Sequence, residues 1–231
     1  MRKKLVVLTG AGISKESGIN TFRDSVEGLW ENFDIKVVAH VDALNHSFDK
    51  VLDFYNERRK KLDTVKPNKA HLILKELEDY LDVYIITQNV DDLHERVGSK
   101  NVLHLHGELR KKRPMDNNNI VDYVEDIYEG DLDSRGVQYR PHIVMFGEQV
   151  PMINTAVKIV RNCDYFLIVG TSLEVYPANS LDFHVDKKAL QYYIDPEKND
   201  NIFNVKHIQK VATEGMEEFK NIIIKDLEIQ K

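Results

Sequence analysis

Short runs of apolar, mostly β-branched residues alternate with stretches of helical periodicity along most of this chain. The runs are nearly continuously apolar, which is typical of parallel strands buried on both faces of a sheet. Strands are predicted at 5–9, 83–87, 102–106, 142–146, 166–170 and 190–195. Helices are predicted at 47–62, 68–80, 153–162 and 217–230. This alternation predicts an α/β fold with a doubly wound, Rossmann-like parallel sheet.

Two stretches break the alternation. Residues 32–66 show a helical pattern without a strand, and residues 110–140 are polar. We therefore predict one unit over 1–231 in which these two inserts form a small domain. The large domain carries the sheet and is predicted to span 1–31, 67–109 and 141–231.

The balance of charge argues against nucleic acid as a partner. The chain has 32 Lys and Arg against 38 Asp and Glu, a formal net charge of −6, whereas phosphate backbones bind to basic faces. No apolar run reaches the roughly 18 residues of a membrane-spanning helix. The apolar stretch near the amino terminus is too short for a secretory signal. We expect a cytoplasmic protein that binds neither nucleic acid nor membrane, and its oligomeric state stays open.

The first predicted strand ends in a loop of small residues, GAGIS at 10–14. Small residues let backbone N–H groups approach a pyrophosphate, and a following helix N-terminus adds partial positive charge. Ser14 and Ser17 are placed to cap that helix or to bind phosphate oxygens, and Arg23 is placed to donate to a phosphate or an amide. The loop departs from the GxGxxG fingerprint, so a plain tight turn is the alternative.

Polar side chains also follow other predicted strands. Gln88, Asn89 and Asp91 follow the second strand and suit ribose hydroxyls or a carboxamide, with helix capping as the alternative. The loop at 170–172 suits phosphate or ribose, and Asp195 at the end of the last strand suits ribose hydroxyls. Because the carboxyl ends of parallel strands meet at one edge, these residues predict a dinucleotide site.

Two histidines, His104 and His106, lie on one face of the strand predicted at 102–106. A metal pair, a general base and a core residue are all possible interpretations. No third metal ligand is recognisable nearby, and the pKa of histidine lies near operating pH, which favours one of the two as a general base.

Five blocks, in order along the chain, resemble the sirtuins, the NAD-dependent protein lysine deacylases. They are GAGISKESGI with FR at 10–23, TQNVD at 87–91, HLHG at 104–107, RPHIVMFGE at 140–148 and GTSLEVYPA at 170–178.

The resemblance implies a role for each block in binding NAD and an acyl-lysine peptide. The pyrophosphate and the nicotinamide ribose would be held by Gly10, Ala11, Gly12, Ser14, Ser17, Phe22 and Arg23. Gln88, Asn89 and Asp91 would orient the ribose and the carboxamide and take part in catalysis with His106. The adenosine half would be lined by Gly170, Thr171, Ser172, Asp195 and Ala212. The peptide would add a strand against Val144, Phe146 and Gly147.

The resemblance also implies the chemistry. The acyl-lysine oxygen attacks the anomeric carbon of NAD as nicotinamide leaves, which gives an alkylimidate. His106, which matches the family's catalytic histidine where His104 does not, then takes a proton from the ribose hydroxyl that attacks the imidate. The products are free lysine, nicotinamide and O-acyl-ADP-ribose.

A further match concerns the acyl group. Tyr55 and Arg58 resemble the Tyr-x-x-Arg pair of the sirtuins that remove succinyl and malonyl groups. At i, i+3 on a helix, both side chains share a face, where Arg58 can bind a carboxylate bidentately and Tyr55 can donate its hydroxyl. The alternative is that Arg58 belongs to a solvated basic face at 58–61.

Four features depart from the family pattern. The family's four zinc cysteines are missing between His106 and Pro141, and the only cysteine of the chain is Cys163. We therefore expect a small domain without zinc or any other metal. Asp92, Asp195 and Asn20 replace residues that are usually glycine, asparagine and proline.

These observations lead to one hypothesis and two alternatives. The chain is expected to be a zinc-free sirtuin that removes succinyl and malonyl groups from lysine and has deacetylase activity as well. NAD glycohydrolysis or ADP-ribosyl transfer is the alternative within enzymes, because it shares the release of nicotinamide. A catalytically silent NAD-binding module is the alternative from another class.

Overall fold

A computed structural model of the chain describes residues 2–21, 38–117, 119–200, 202 and 204–229. Its strands are β1 (Lys4–Thr9), β2 (Asp82–Thr87), β3 (Val102–His104), β4 (Gly107–Pro114), β5 (Val121–Asp122), β6 (Tyr139–Ile143), β7 (Tyr165–Val169), β8 (Leu190–Ile194) and β9 (Lys206–Ile208). Its α-helices are α1 (Gly12–Lys15), α2 (Ala43–His46), α3 (Phe48–Thr64), α4 (Lys69–Leu77), α5 (Leu93–Arg96), α6 (Ile153–Val160) and α7 (Ala212–Ile229). Two short 3₁₀ helices, Ala178–Ser180 and Asp182–His184, precede β8.

The large sheet is parallel and has the order β3-β2-β1-β7-β8-β9 within the described residues. The chain moves outward from β1 to β2 and β3 on one side, and from β7 to β8 and β9 on the other. The order therefore reverses between β1 and β7, because the connections after these two strands lead to opposite sides of the sheet. In open α/β sheets, ligands bind at such a switch point.

The core lies on both faces of this sheet. Leu5 and Val7 of β1 pack toward α4 and α7, whereas Val6 and Leu8 pack on the opposite face toward α6. All four side chains are fully buried. Each such side chain stabilises the fold by roughly 1.5–3 kcal/mol, so the apolar runs of the sequence fix the centre of the sheet.

The polar stretch after His106 forms a second, antiparallel sheet with the order β5-β4-β6, the small sheet. Helix α3 packs on it: Arg59 Nε donates to Leu109 O at 2.8 Å, and Asn56 Nδ2 donates to Ile127 O at 2.9 Å. Phe54 and Leu62 share an apolar cluster with Leu109 and Ile143. The segments at 48–64 and 107–143 therefore pack together, and the predicted domain boundaries stay a prediction.

The strand predicted at 142–146 is wrong in position and partner. β6 ends at Ile143 and pairs antiparallel with β4, outside the parallel sheet. The apolar residues that suggested a buried parallel strand, such as Met145, pack instead in the cluster under α3. The short strand β9 was not predicted, and α7 begins earlier than the predicted 217.

No helix in the described ranges is long and apolar enough to cross a bilayer.

Candidate active site

A cavity of about 1270 Å³ opens at the carboxyl ends of β1, β2, β7 and β8 and extends to α3 and the end of β6. Most of the predicted site residues lie on its wall. They are Gly10, Ala11, Gly12, Tyr55, Arg58, Gln88, Asn89, Asp91, His106, Val144, Phe146, Gly147, Gly170, Thr171, Ser172, Asp195 and Ala212. Ser14 and Ser17 are not on the wall, and Phe22 and Arg23 lie outside the described residues.

Glycines bring the loops after β1 and β7 into backbone contact at the switch point. Gly12 N donates to Gly170 O at 2.8 Å. A Cβ on Gly12 would lie 2.6 Å from Gly170 Cα, and one on Gly10 would lie 2.5 Å from Thr171 Cβ. Gly170 also has φ +65, which favours glycine. Only glycine fits at these positions. The packing of the two loops therefore requires Gly10 and Gly12, whether or not a ligand binds.

A buried polar network lies behind the wall of the cavity. Ser14 Oγ donates to Asp91 Oδ2 at 3.0 Å and accepts from Asn89 Nδ2 at 3.2 Å. Burial raises the pKa of Asp91, while hydrogen bonds from Leu93 N and Ser14 oppose that rise. Ser14 therefore orients the amide and the carboxylate that reach the cavity. Ser17 is placed similarly behind the wall and accepts from Asn68 Nδ2 at 3.0 Å.

Two further polar groups on the wall are fixed by neighbours. Gln88 Nε2 donates to Thr171 Oγ1 at 2.9 Å, which joins the loops after β2 and β7. Asp195, at the end of β8, is 8% exposed, and its Oδ1 accepts from Glu197 N at 3.0 Å.

His106 has the geometry of a general base. Its Nδ1 lies 3.0 Å from Gln88 O, a pure acceptor, so Nδ1 carries the proton and donates. Burial lowers the pKa of His106, and the bond to Gln88 only partly opposes this. The ring is therefore neutral at pH 7, with the lone pair of Nε2 available on the cavity wall.

Tyr55 and Arg58 reach the cavity from α3. Burial raises the pKa of Tyr55 to about 12 and lowers the pKa of Arg58 to about 10. The Arg58 guanidinium lies over the ring of Phe54, 3.2 Å from its centroid, and Nη1 donates to Phe54 O. Apolar Leu62 and Leu109 also line the cavity, and both belong to the apolar cluster that contains Tyr55 and Phe54. A cation held beside apolar side chains suits the carboxylate of an acidic ligand.

The sequence model of the Sir2 family matches residues 10–177, which include nearly all of these wall residues.

The chain belongs to the Sir2 family.

Similar proteins cover the Sir2-family chain almost completely. One from Helicobacter pylori strain J99, named NAD-dependent protein deacylase, is 52% identical over 219 residues, 94% of this chain and 93% of its own. A protein of the same name from Bacteroides thetaiotaomicron is 47% identical over 231 residues, 96% of this chain and 98% of its own. A solved complex of a Sir2 homologue with NAD superposes with a TM-score of 0.87 at 38% identity and covers 98% of this chain and 91% of that chain. The Rossmann-like α/β fold is thus confirmed.

Sequence reasoning missed how the loop before α6 is held in this Sir2-family protein. Glu148 accepts from Arg140 Nη1 at 2.8 Å, from Arg113 Nη2 at 3.1 Å and from Met145 N at 2.8 Å. Arg140 is 3% exposed. The acid therefore ties the cavity loop that contains Phe146 to the small sheet. The signal in the sequence is an acid directly after Phe-Gly. Its two arginine partners are distant in the sequence, and only the fold brings them into contact with it.

Two buried histidines behind the first loop were also missed. The rings of His71 and His94 lie 4.9 Å apart, and His94 Nε2 lies 3.3 Å from Thr9 Oγ1. His71 Nε2 and His94 Nδ1 have no hydrogen-bond partner in the described part of the chain. Burial lowers the pKa of His71 to about 4 and that of His94 well below its usual range. Both rings are therefore neutral in the folded protein.

We expect the free energy of unfolding to fall as the pH is lowered from 6.5 toward 4. The unfolded chain binds protons at both histidines in this range while the folded chain does not, so acid favours unfolding. His71 alone accounts for about 3 kcal/mol of this loss. Denaturant titrations at a series of pH values measure it, and His71→Gln should flatten the dependence. Equal slopes for His71→Gln and the unaltered protein would contradict the assignment.

The residues of the small sheet do not fit the family's zinc. The segment 110–140 contains neither cysteine nor histidine. Within the described ranges, no group of three or more His, Cys, Asp or Glu side chains is close enough to hold a metal ion. Arg135 instead joins two turns of the small sheet. It donates to both carboxylate oxygens of Asp116 at 2.9 Å and to Asp133 at 2.7 Å. Burial raises the pKa of Cys163, far along the chain, to about 11, which suits an inert thiol.

We expect a strong chelator to leave both the melting temperature and the activity unchanged. The ion pairs of Arg135 and the packing of α3 are expected to hold the turns of the small sheet without a metal. Thermal unfolding with and without the chelator measures the first quantity. A lower melting temperature that added zinc restores would show that a metal stabilises the protein.

Proposed function

We propose that this Sir2-family protein is an NAD-dependent protein lysine deacylase that removes succinyl and malonyl groups, and also acetyl groups. One observation carries the proposal: a single cavity joins His106, the proposed general base, to the buried Tyr55 and the half-buried Arg58. Relatives that cover more than nine-tenths of the chain are named NAD-dependent protein deacylases, which supports the coarser part. The pair on α3 supports the finer part.

The residues present fit NAD. Gly10, Ala11 and Gly12 lie on the cavity wall beside the loop at 170–172, so a pyrophosphate can approach the backbone there without meeting a large side chain. Asp195 lies at the carboxyl end of β8, where a ribose hydroxyl finds an acceptor. When bound, NAD supplies an electrophilic anomeric carbon and nicotinamide as the leaving group. In the proposal, Ala212 and the loop at 170–172 line the adenosine half, with Ser14 and Ser17 acting from behind the wall.

Asn89 and Asp91 hold the substrates in a fixed orientation. The Asn89 side chain bonds to Ser14, and its backbone N donates to Thr87 Oγ1 at 3.0 Å. Asp91 is anchored by Leu93 N and Ser14. Because both groups are pre-organised, little ordering remains to be done when the ribose and the carboxamide bind.

His106 removes a proton from a ribose hydroxyl in the proposed reaction. The bond from Nδ1 to Gln88 O selects the tautomer in which Nε2 accepts that proton. Burial keeps the ring neutral, as a base requires. Gln88 therefore serves twice, through its carbonyl toward His106 and through its side chain toward Thr171.

Arg58 and Tyr55 determine the acyl group in the proposal. The Arg58 guanidinium pairs with the distal carboxylate, and the Tyr55 hydroxyl donates to it. Apolar Leu62 and Leu109 contact the methylenes of the acyl chain, and an acetyl group occupies the same pocket without an ionic contact.

The peptide is proposed to bind along the segment from Val144 to Gly147. Val144 N donates to His106 O, and Phe146 pairs with Val41 and Ala39 through its carbonyl and its N–H. The proposed contacts therefore fall on Val144 O and the backbone of Gly147. Phe146 is 46% exposed at this opening and offers an apolar contact to the peptide. Main-chain contacts of this kind give affinity with little sequence preference.

The ratio of nicotinamide released to acyl-lysine lost tests the proposed reaction. We expect one nicotinamide for each acyl group removed, and little release without a peptide, measured by chromatography of both products. Release of nicotinamide without a peptide would indicate a glycohydrolase. ADP-ribose attached to protein would indicate a transferase, and binding of NAD without turnover would indicate a silent module.

A further inference from the structure

The two histidines of the HLHG block contact two successive carbonyls. His106 Nδ1 lies 3.0 Å from Gln88 O, and His104 Nδ1 lies 2.9 Å from Asn89 O. The end of β3 and the residues just after it thus hold the loop after β2 at two adjacent peptide groups. The proposed reaction uses only His106, so the role of His104 remains to be assigned.

His104 uses both of its ring nitrogens. Nε2 lies 2.9 Å from Glu95 Oε1, and Nδ1 faces Asn89 O. A carboxylate oxygen and a backbone carbonyl accept hydrogen bonds and do not donate them. Both nitrogens must therefore carry protons, which makes the ring an imidazolium. Its side chain is 7% exposed and that of Glu95 is 39% exposed.

We propose that His104, held as an imidazolium by Glu95, is a positioning residue that fixes Asn89 and Asp91 for NAD. The inference rests on the proposed function, because it assigns to the loop at 88–91 the binding of that substrate. His104 does not touch the reacting atoms and acts through the backbone of Asn89.

The position of the carbonyl determines where the side chain points. Asn89 is held at its N–H by Thr87, at its carbonyl by His104 and at its side chain by Ser14. Loss of the middle contact frees the peptide group that links Asn89 to Val90. The amide then samples orientations other than the one that faces the cavity, and binding of NAD weakens.

The charge of His104 also acts on Asp91. Burial raises the pKa of Asp91, and the nearby positive charge of His104 opposes that rise. An ionised Asp91 is the acceptor that the proposed ribose contact needs. The imidazolium therefore supports both an orientation and a charge state.

Groups from the neighbouring elements decide the protonation of His104. Burial acts to lower its pKa, whereas the hydrogen bond and charge of Glu95, the charge of Glu108 and the Asn89 carbonyl raise it, and the net result is a raised pKa. His94 also lies near enough to feel the positive charge. His104 thus loses its proton at a higher pH than an ordinary histidine, whereas His106 gains a proton only at a lower pH.

The opposite shifts predict a pH profile with two limbs. The acidic limb comes from protonation of His106. The alkaline limb comes from deprotonation of His104, after which the ring can no longer donate to both partners. If His104 only stabilised the fold, weakening its contacts would lower the melting temperature and would leave the alkaline limb unchanged.

The decisive variant is Glu95→Gln, because Glu95 lies at the surface and the change keeps its shape. We expect the alkaline limb of kcat/KM for NAD to move to lower pH, and the NMR titration of the His104 ring to move with it. Glu129→Gln, an exposed carboxylate off the cavity wall, is the matched control and should leave both unchanged. An unmoved limb in Glu95→Gln, or a His104 ring that titrates below the usual range, would overturn the proposal.

Two substitutions of His104 separate the hydrogen bond from the charge. His104→Leu removes both, and we expect kcat/KM for NAD to fall about tenfold at neutral pH, as for loss of a charged hydrogen bond. His104→Asn can still donate to Asn89 O, so it should recover part of that loss and should lack the alkaline limb. Equal activity in all three proteins would overturn the proposal.

Binding of ADP-ribose distinguishes failure of the inference from failure of the proposed function. Calorimetry of ADP-ribose needs no turnover, and its affinity should fall on the alkaline side earlier in Glu95→Gln than in the unaltered protein. If that shift appears while acyl peptides stay intact, the inference holds and the deacylase proposal fails. If peptides are deacylated while no shift appears, the deacylase proposal holds and the inference about His104 fails.

Discussion

His106→Ala is expected to lower the rate of deacylation by about 10²- to 10⁴-fold, the usual contribution of a general base. The only proton acceptor proposed for the ribose hydroxyl is the Nε2 lone pair that the Gln88 bond exposes. Alanine removes it and keeps the glycine loops that are proposed to bind the pyrophosphate. The affinity for NAD should therefore change only a few-fold. Single-turnover loss of the acyl group and calorimetry of NAD binding measure the two quantities.

A matched control is His184→Ala, because His184 is exposed and off the cavity wall. It should retain full activity. If His106→Ala removed acyl groups at the unaltered rate, the base would have to be another group. If it lost affinity for NAD in proportion to its loss of rate, His106 would be a binding residue instead.

Arg58→Met is expected to lower kcat/KM for a succinyl-lysine peptide by about 10- to 100-fold, the range for loss of a hydrogen bond to a charged group. Methionine keeps the length and apolar stem of the side chain but leaves the succinyl carboxylate unpaired among Leu62 and Leu109. The same ratio for an acetyl peptide should change only a few-fold. The measurement is a comparison of both peptides at several concentrations, since the loss should appear mainly in KM.

The exposed Arg161 offers a control of the same chemistry, and Arg161→Met should leave both substrates unchanged. Tyr55→Phe should also affect the succinyl peptide selectively. Its loss of kcat/KM should be smaller than that of Arg58→Met, because it removes a neutral donor. Parallel losses on succinyl and acetyl peptides in Arg58→Met would show that Arg58 stabilises the cavity rather than the acyl carboxylate.

The strand ends were predictable because a buried parallel strand leaves an apolar run and a sharp polar end. The run before Thr9 and that before Gly170 fixed the two loops of the switch point, and the run before Gln88 fixed the third. Spacing also placed Tyr55 and Arg58 on one face of α3. That this face points into the cavity is a tertiary fact, because the small sheet and α3 must pack before it has a direction.

The networks behind the wall could not be predicted from spacing. His71 and His94 meet only because α4 and α5 pack behind β1, and Glu148 finds Arg113 and Arg140 only after β4 and β6 pair. Such contacts join residues far apart in the chain and leave no periodic signal. β6 was misplaced for a related reason, since its own residues include Arg140 and His142 while its apolar neighbours follow it.

Mass spectrometry of one lysine peptide in its succinyl and acetyl forms, incubated with the protein with and without NAD, tests the proposed deacylation directly. We expect the succinyl group to be lost only when NAD is present, and free lysine and nicotinamide to appear together. Consumption of NAD while both peptides stay intact would contradict it.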